Sequence, residues 1–285
     1  MTTTAGYDFH GVQIVARAPG STAIDALDRR LGMFRAEPAA RPDVRFEFGA
    51  AMLEAPPGRS RPVYDAPGAQ VAYFESTDEL YVEYLGVRLL CAPGRGLVRL
   101  SWPRGDTTDV WLATHPLLTI AFIEVLKRRR RFNVHAACAA TADGGALVAG
   151  PSGAGKSTLA VALALAGWEF LSDDMVFLAT EGPGVDILGF PDEVDVTDTT
   201  VAMFPELRAA ARAPVVQGRD KASLRLEDLP GVRMRLRCRP AVLVLAAVAH
   251  SGHSTLAPVS AAEALVELAP NVLLTEAGSV QAHLG

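Results

Sequence analysis

The segment Gly150-Pro151-Ser152-Gly153-Ala154-Gly155-Lys156-Ser157 constrains this chain more than any other. It fits the pattern G-x-x-x-x-G-K-[ST], in which glycines let backbone N–H groups close around phosphate oxygens. Such a loop needs a strand before it and a helix after it, because the helix N-terminus adds its partial positive charge to the anion site. Both are legible. Ala146-Leu147-Val148-Ala149 reads as a buried strand, and Ser157 to Ala166 as a helix stopped by Gly167. The expected nucleotide-binding set is therefore Gly150, Ser152, Gly153, Ala154, Gly155, Lys156, Ser157 and Thr158.

Composition narrows the setting. The 285 residues, 49% of them hydrophobic, suffice for one large or two modest domains with their own cores. No run of eighteen or more apolar residues predicts a membrane span. Met1 to Tyr7 lacks the basic and apolar regions of a secretory leader. Cys91, Cys138 and Cys238 are too few and too scattered for a disulfide framework or a four-ligand zinc site. These readings predict a cytoplasmic protein without a membrane partner. Nearly all basic residues are arginine, and the three lysines are Lys127, Lys156 and Lys221. Against that background a lysine is a candidate for a position that wants a compact ammonium rather than a planar fork.

The first part of the chain reads as β-rich with one early helix. Val12 to Ala16, Val44 to Phe48, Gln70 to Phe74, Leu80 to Tyr84, Val87 to Cys91 and Leu97 to Trp102 are strand candidates. Thr22 to Leu31 has helical apolar spacing, with Thr22 and Asp25 resembling a capping box. The segment Ala55 to Gly68, rich in Pro, Gly and Arg, reads as a loop. The expectation is an antiparallel sheet without a catalytic constellation. A helix from about His115 to Arg130 follows, with Pro116 in its first turn and Lys127-Arg128-Arg129-Arg130-Arg131 at its end. Basic residues there offset the macrodipole and stay solvated. The net charge of −5 and the lack of interleaved aromatics argue against nucleic acid as a partner.

Asn133 to Ala140 and Gly145 to Ala149 read as a hairpin with Asp143-Gly144 at its turn. Trp168 to Leu171 and Met175 to Leu178 read as two more strands. Residues 191–221 read as a mobile flap, Ala241 to Ala249 as a buried strand, and Ser260 to Leu268 as a capped helix.

The acids decide what chemistry a phosphate loop performs. Asp173-Asp174 ends the strand after the loop helix and lies between apolar Phe170-Leu171 and Met175 to Leu178. Phosphoryl transfer needs a divalent cation to neutralise charge and a carboxylate to take the acceptor's proton, and two adjacent acids can divide these tasks. His135, in the strand that precedes the loop strand, is placed to reach the same cleft. Arg219 and Lys221 are candidates for a later phosphate or base contact.

Val134-His135-Ala136, the Gly150 to Ser157 loop, Gly167-Trp168 and Leu171-Ser172-Asp173-Asp174-Met175-Val176 together resemble the core of HPr kinase/phosphorylase and its related kinases. His135 lies 21 residues before Lys156, and Asp173 lies 17 after it. The resemblance covers Asn133 to Leu178. It implies an α/β fold, with a C-terminal HPr-kinase-like P-loop domain of mixed sheet over 106–285 and a β-rich N-terminal domain over 1–105. It implies an ATP- and Mg²⁺-dependent kinase acting on a hydroxyl, of the serine type, in a peptide, protein or small metabolite. It assigns Asp173 as base, His135 beside the reacting phosphate, Lys156 on the β- and γ-phosphates, and Ser157 and Asp174 to Mg²⁺. Leu188-Gly189-Phe190-Pro191 does not match that family's Glu-Arg-Gly-Leu-Gly segment, so the resemblance does not extend to phosphorolysis or to HPr as acceptor. Two other readings stand beside it: a shikimate- or gluconate-type metabolite kinase, and a nucleotide sensor without turnover. The sequence sets neither the acceptor nor the oligomeric state, a homo-oligomer among the options.

Overall fold

The computed structural model of the chain describes residues 1–49, 51–180, 184–212, 221–249 and 252–272. The fold is mixed α/β, in two compact units. The first is Met1–Arg129, and the second takes the described residues from Arg130 onward. The division falls after Arg129 rather than near residue 105, because the intervening helices pack into the first unit.

In that unit β1 (Thr2–Phe9) and β2 (Val12–Pro19) form a hairpin that the sequence reading began only at Val12. Next come α1 (Thr22–Leu31), β3 (Arg35–Ala36), β4 (Val44–Gly49), β5 (Arg61–Ala66), β6 (Ala69–Phe74), β7 (Glu79–Tyr84), β8 (Val87–Ala92) and β9 (Leu97–Ser101). The nine strands form one sheet in the order β3-β1-β2-β4-β9-β8-β7-β6-β5. This sheet is mixed rather than antiparallel: β4 runs parallel to both β2 and β9. The crossover through α1 makes the first of these parallel pairings reachable, since a tight turn cannot. The segment expected as a loop contains β5, an edge strand that tolerates Pro62 because its outer side needs no N–H. The capping box at Thr22 does not form. Ser21 is the N-cap of α1, and no side chain bonds there.

The helix expected from His115 starts earlier. It runs as α2 (Thr107–Leu112), a π-helical turn over Ala113–Leu117, and α3 (Leu118–Lys127). Asp106 caps it by accepting from the Asp109 N–H, and Pro116 lies mid-helix, inside the π turn. Wider hydrogen-bond spacing accommodates a residue that has no N–H to give. This 21-residue helix, of mean hydropathy 1.4, is long and apolar enough to cross a bilayer, yet 72% of its apolar stretch is buried within the protein. Phe122 packs against Phe9 and Phe46, with ring centroids 4.8 and 6.3 Å apart. Its apolarity is thus a packing face.

The basic run after α3 is solvated only in part, Arg128 and Arg130 being exposed. Lys127 is buried against Glu124 at 2.9 Å, Arg128 pairs with Asp78 at 2.7 Å, and Arg129 donates to the carbonyls of Val125 and Asp43. Arg130 bonds Thr180 Oγ1, and Arg131 is buried at the start of the next strand.

The second unit contains β10 (Arg131–Val134), β11 (Ala137–Thr141), β12 (Gly144–Ala149), α4 (Lys156–Leu165), β13 (Glu169–Ser172), β14 (Val176–Ala179) and β15 (Asp186–Gly189). It continues with β16 (Val194–Val196), α5 (Asp198–Met203), β17 (Ala222–Leu224), β18 (Arg233–Met234), β19 (Arg237–Cys238), β20 (Pro240–Leu245) and α6 (Ala261–Leu268). One sheet is ordered β10-β14-β15-β19, and a second β18-β13-β11-β12-β20. Ala160, Val161 and Ala164 of α4 pack with Val148 and Phe170 of the second sheet. Much of the segment expected as a flap is built: β16 pairs with β17, and α5 lies between them in the chain. Residues 213–220 of that segment lie outside the described residues. Strand β20 is half exposed rather than buried, with Val242 at 48% of its free surface. All three cysteines are buried thiols, and Cys138 and Cys238, far apart in sequence, meet as a hydrogen-bonded pair.

Candidate functional site

The site arises where paired strands change sheets. Strand β10 pairs with β14 in one sheet, while β11 pairs with β13 in the other. The chain therefore passes from sheet to sheet twice, side by side. The flanking pairs are Val134↔Val176 and Cys138↔Ser172, with a bulge beside the latter, so residues 135–137 lie opposite 173–175. His135 and Asp173-Asp174 thus sit at the seam and not within strands. The Ser172 hydroxyl steadies the turn by accepting from the Met175 N–H at 3.2 Å.

His135 Nδ1 lies 3.1 Å from Asp174 Oδ1, close enough for a ring N–H to donate to the carboxylate. Asp174 is mostly exposed. Desolvation would raise its pKa, but the His135 hydrogen bond and charge, then Lys156 and Lys221, bring it below the ordinary carboxylate range. Asp173 is the opposite case. It is 3% exposed, and its Oδ1 is buried without a hydrogen-bond partner. Burial pushes its carboxyl well above the ordinary range; Asp174, Asp192 and Asp195 push the same way, and the Ser157 hydrogen bond opposes them. Adjacent residues are therefore held in different protonation regimes.

The glycine-rich loop follows β12 and opens α4. Gly150 has φ +148°, and a Cβ there would stand 2.7 Å from the Ala246 carbonyl, so only glycine fits. Gly155, at φ +91°, is the N-cap of α4. Ser152 and Gly153 are exposed at the loop tip, Ala154 N–H bonds the Pro151 carbonyl at 3.1 Å, and Lys156 turns inward. Its ammonium donates to the carbonyls of Gly150 and Pro151, at 2.9 and 3.3 Å. Desolvation lowers the Lys156 pKa, and the charge of Lys221 adds to this against the pull of Asp174 and Asp173. The Thr158 hydroxyl meets Thr200 Oγ1 at 3.0 Å.

The structure thus gathers Lys156, Ser157, Asp173, Asp174 and His135 at one place, with Ser157 against Asp173 and His135 against Asp174. Arg219 lies outside the described residues. Sequence reasoning missed Asp192 and Asp195. The available signal was the alternation Val194-Asp195-Val196, a short half-buried strand that the surrounding prolines disguised.

Among the described residues no group of three or more His, Cys, Asp or Glu side chains converges on a metal position. The Ser157 hydroxyl and the exposed, ionised Asp174 carboxylate still suit Mg²⁺, which keeps several waters and takes most of its remaining ligands from substrate phosphates. No protein-family model matches the chain, and no curated protein matches it.

Proposed function

We propose that the chain is an ATP- and Mg²⁺-dependent phosphotransferase of the HPr-kinase-like kind, its second unit a P-loop kinase domain working in the cytoplasm. The acceptor is a serine-type hydroxyl of a peptide, protein or small metabolite. The carrying observation is Asp173: a buried carboxyl with one unpartnered oxygen, bonded through Ser157 to the first turn of the helix that the glycine-rich loop opens.

In this reading the N–H groups of the loop and the N-terminus of α4 receive the β-phosphate. Lys156 exchanges its two carbonyls for phosphate oxygens. Mg²⁺ arriving with the nucleotide neutralises charge on the phosphates, and Ser157 and Asp174 are the side chains that would hold it. Asp173 accepts the proton of the acceptor hydroxyl as the new O–P bond forms and the bond to the ADP oxygen breaks. His135 fixes Asp174 and lies beside the transferring group. The raised pKa of Asp173 suits a base, because a carboxylate of ordinary pKa takes protons weakly.

The test combines transfer and binding. Wild-type protein given γ-labelled ATP and Mg²⁺ in a cell extract labels an acceptor, and Asp173→Asn labels none while binding ATP normally. Lys156→Ala weakens ATP binding about tenfold or more by calorimetry, since a charge-assisted contact to phosphate is lost. Labelling by Asp173→Asn at the wild-type rate sinks the base assignment. A wild type that binds ATP and labels nothing favours a sensor.

A further inference from the structure

We infer that Lys221 is a second phosphate-binding cation of this site, delivered by the β16–β17 ribbon to the terminal phosphate of the bound nucleotide; this rests on the nucleotide reading above. The ribbon is fixed to the loop helix by packing and by hydrogen bonds. Val194, Val196 and Leu224 share a core with Ala160, Val161 and Ala164 of α4. Ser223 Oγ donates to Asp195 Oδ1 across the ribbon at 3.0 Å. Thr200, whose N–H is capped by Thr197, meets Thr158 in the first turn of α4 at 3.0 Å.

Register then places Lys221. Ala222 pairs with Val196, so Lys221 lies at the end of the ribbon level with Thr197, the end that Thr200 fastens to the start of α4. There the Lys221 side chain is exposed, and its charge is felt by both Lys156 and Asp174. Two ammonium groups close enough to act on each other repel unless an anion lies between them. A group carrying several negative charges, such as a nucleoside triphosphate, meets that condition better than a single carboxylate. The Lys221 charge acts on Asp174 as well as on Lys156, which assigns it to the phosphate on the Asp174 side, nearest the acceptor. The choice of lysine fits: the chain has 24 arginines and three lysines, and Lys127 is committed to Glu124.

The experiment is calorimetry of full-length protein with Mg²⁺ and either ADP or a non-hydrolysable ATP analogue, for wild type, Lys221→Ala and Lys221→Arg. Wild type is expected to bind both. Lys221→Ala should lose about tenfold for the ATP analogue and less than threefold for ADP, the scale of one charge-assisted contact. Lys221→Arg, which keeps the charge but not the compact ammonium, should recover only part of that loss, with thermal unfolding unchanged in both variants. Wild-type affinities retained by Lys221→Ala overturn this assignment and leave the nucleotide reading standing, as does an equal loss for both nucleotides. A wild type that binds neither nucleotide overturns the nucleotide reading and this assignment with it.

Discussion

Asp173 shows what a single residue contributes here and what it costs. Its carboxyl is pushed up chiefly by burial, so the folded chain holds that proton more tightly than the unfolded chain does. Between the ordinary aspartate range and the raised value, unfolding releases a proton, and stability falls as pH rises through that window. Asp173→Asn removes the ionisation, so its melting temperature should exceed that of wild type at neutral pH, by the equivalent of about 1 kcal/mol or more. The difference should vanish toward pH 3, where both side chains are neutral. Transfer should run the other way, rising with pH as Asp173 ionises, at a midpoint above that of an exposed carboxylate. Thermal melts and rate profiles across pH check both. The identity of this residue was legible, because an Asp-Asp pair between apolar runs stands out. Its contrast with Asp174 was not, because burial depends on how the two sheets meet.

At the scale of elements, local chemistry was the most legible layer. Gly155 and Gly167 mark the two ends of α4, and Ser260 accepts from the Glu263 N–H as the capping pattern implies. Misreadings came where tertiary partners overrode local signals. Pro116 reads as a helix start, yet a π turn keeps it inside a longer helix. The run from Lys127 reads as solvated charge, yet every member has a protein partner or is buried. The Glu124–Lys127 pair, at 1% and 2% exposure, yields a direct measurement. Lys127→Met alone takes the ammonium away from a buried carboxylate and should cost about 3 kcal/mol. Adding Glu124→Leu should restore more than half of that, because the pair's mutual attraction is offset by the desolvation of both charges. Denaturant unfolding of the single and double variants reads the difference.

For the whole molecule, the sequence conveyed two units but not their border. The apolar face of the α2–α3 helix matches either neighbour in sequence, and only the packing of Phe122 on Phe9 and Phe46 decides its allegiance. Parallel pairing of β4 with β2 and β9 was equally hidden, since alternation reports a strand and not its direction. With separate cores, residues 1–129 expressed alone should unfold cooperatively and bind no ATP, while 130–285 alone should bind it. Circular dichroism on heating and calorimetry with ATP test the two halves. The inward turn of Lys156 has a consequence for such titrations. Its ammonium already satisfies two loop carbonyls, so under the proposed function phosphate would arrive as a competitor and not as a missing part. The heat of binding then measures an exchange of acceptors, and will understate the strength of the lysine–phosphate contact that replaces them.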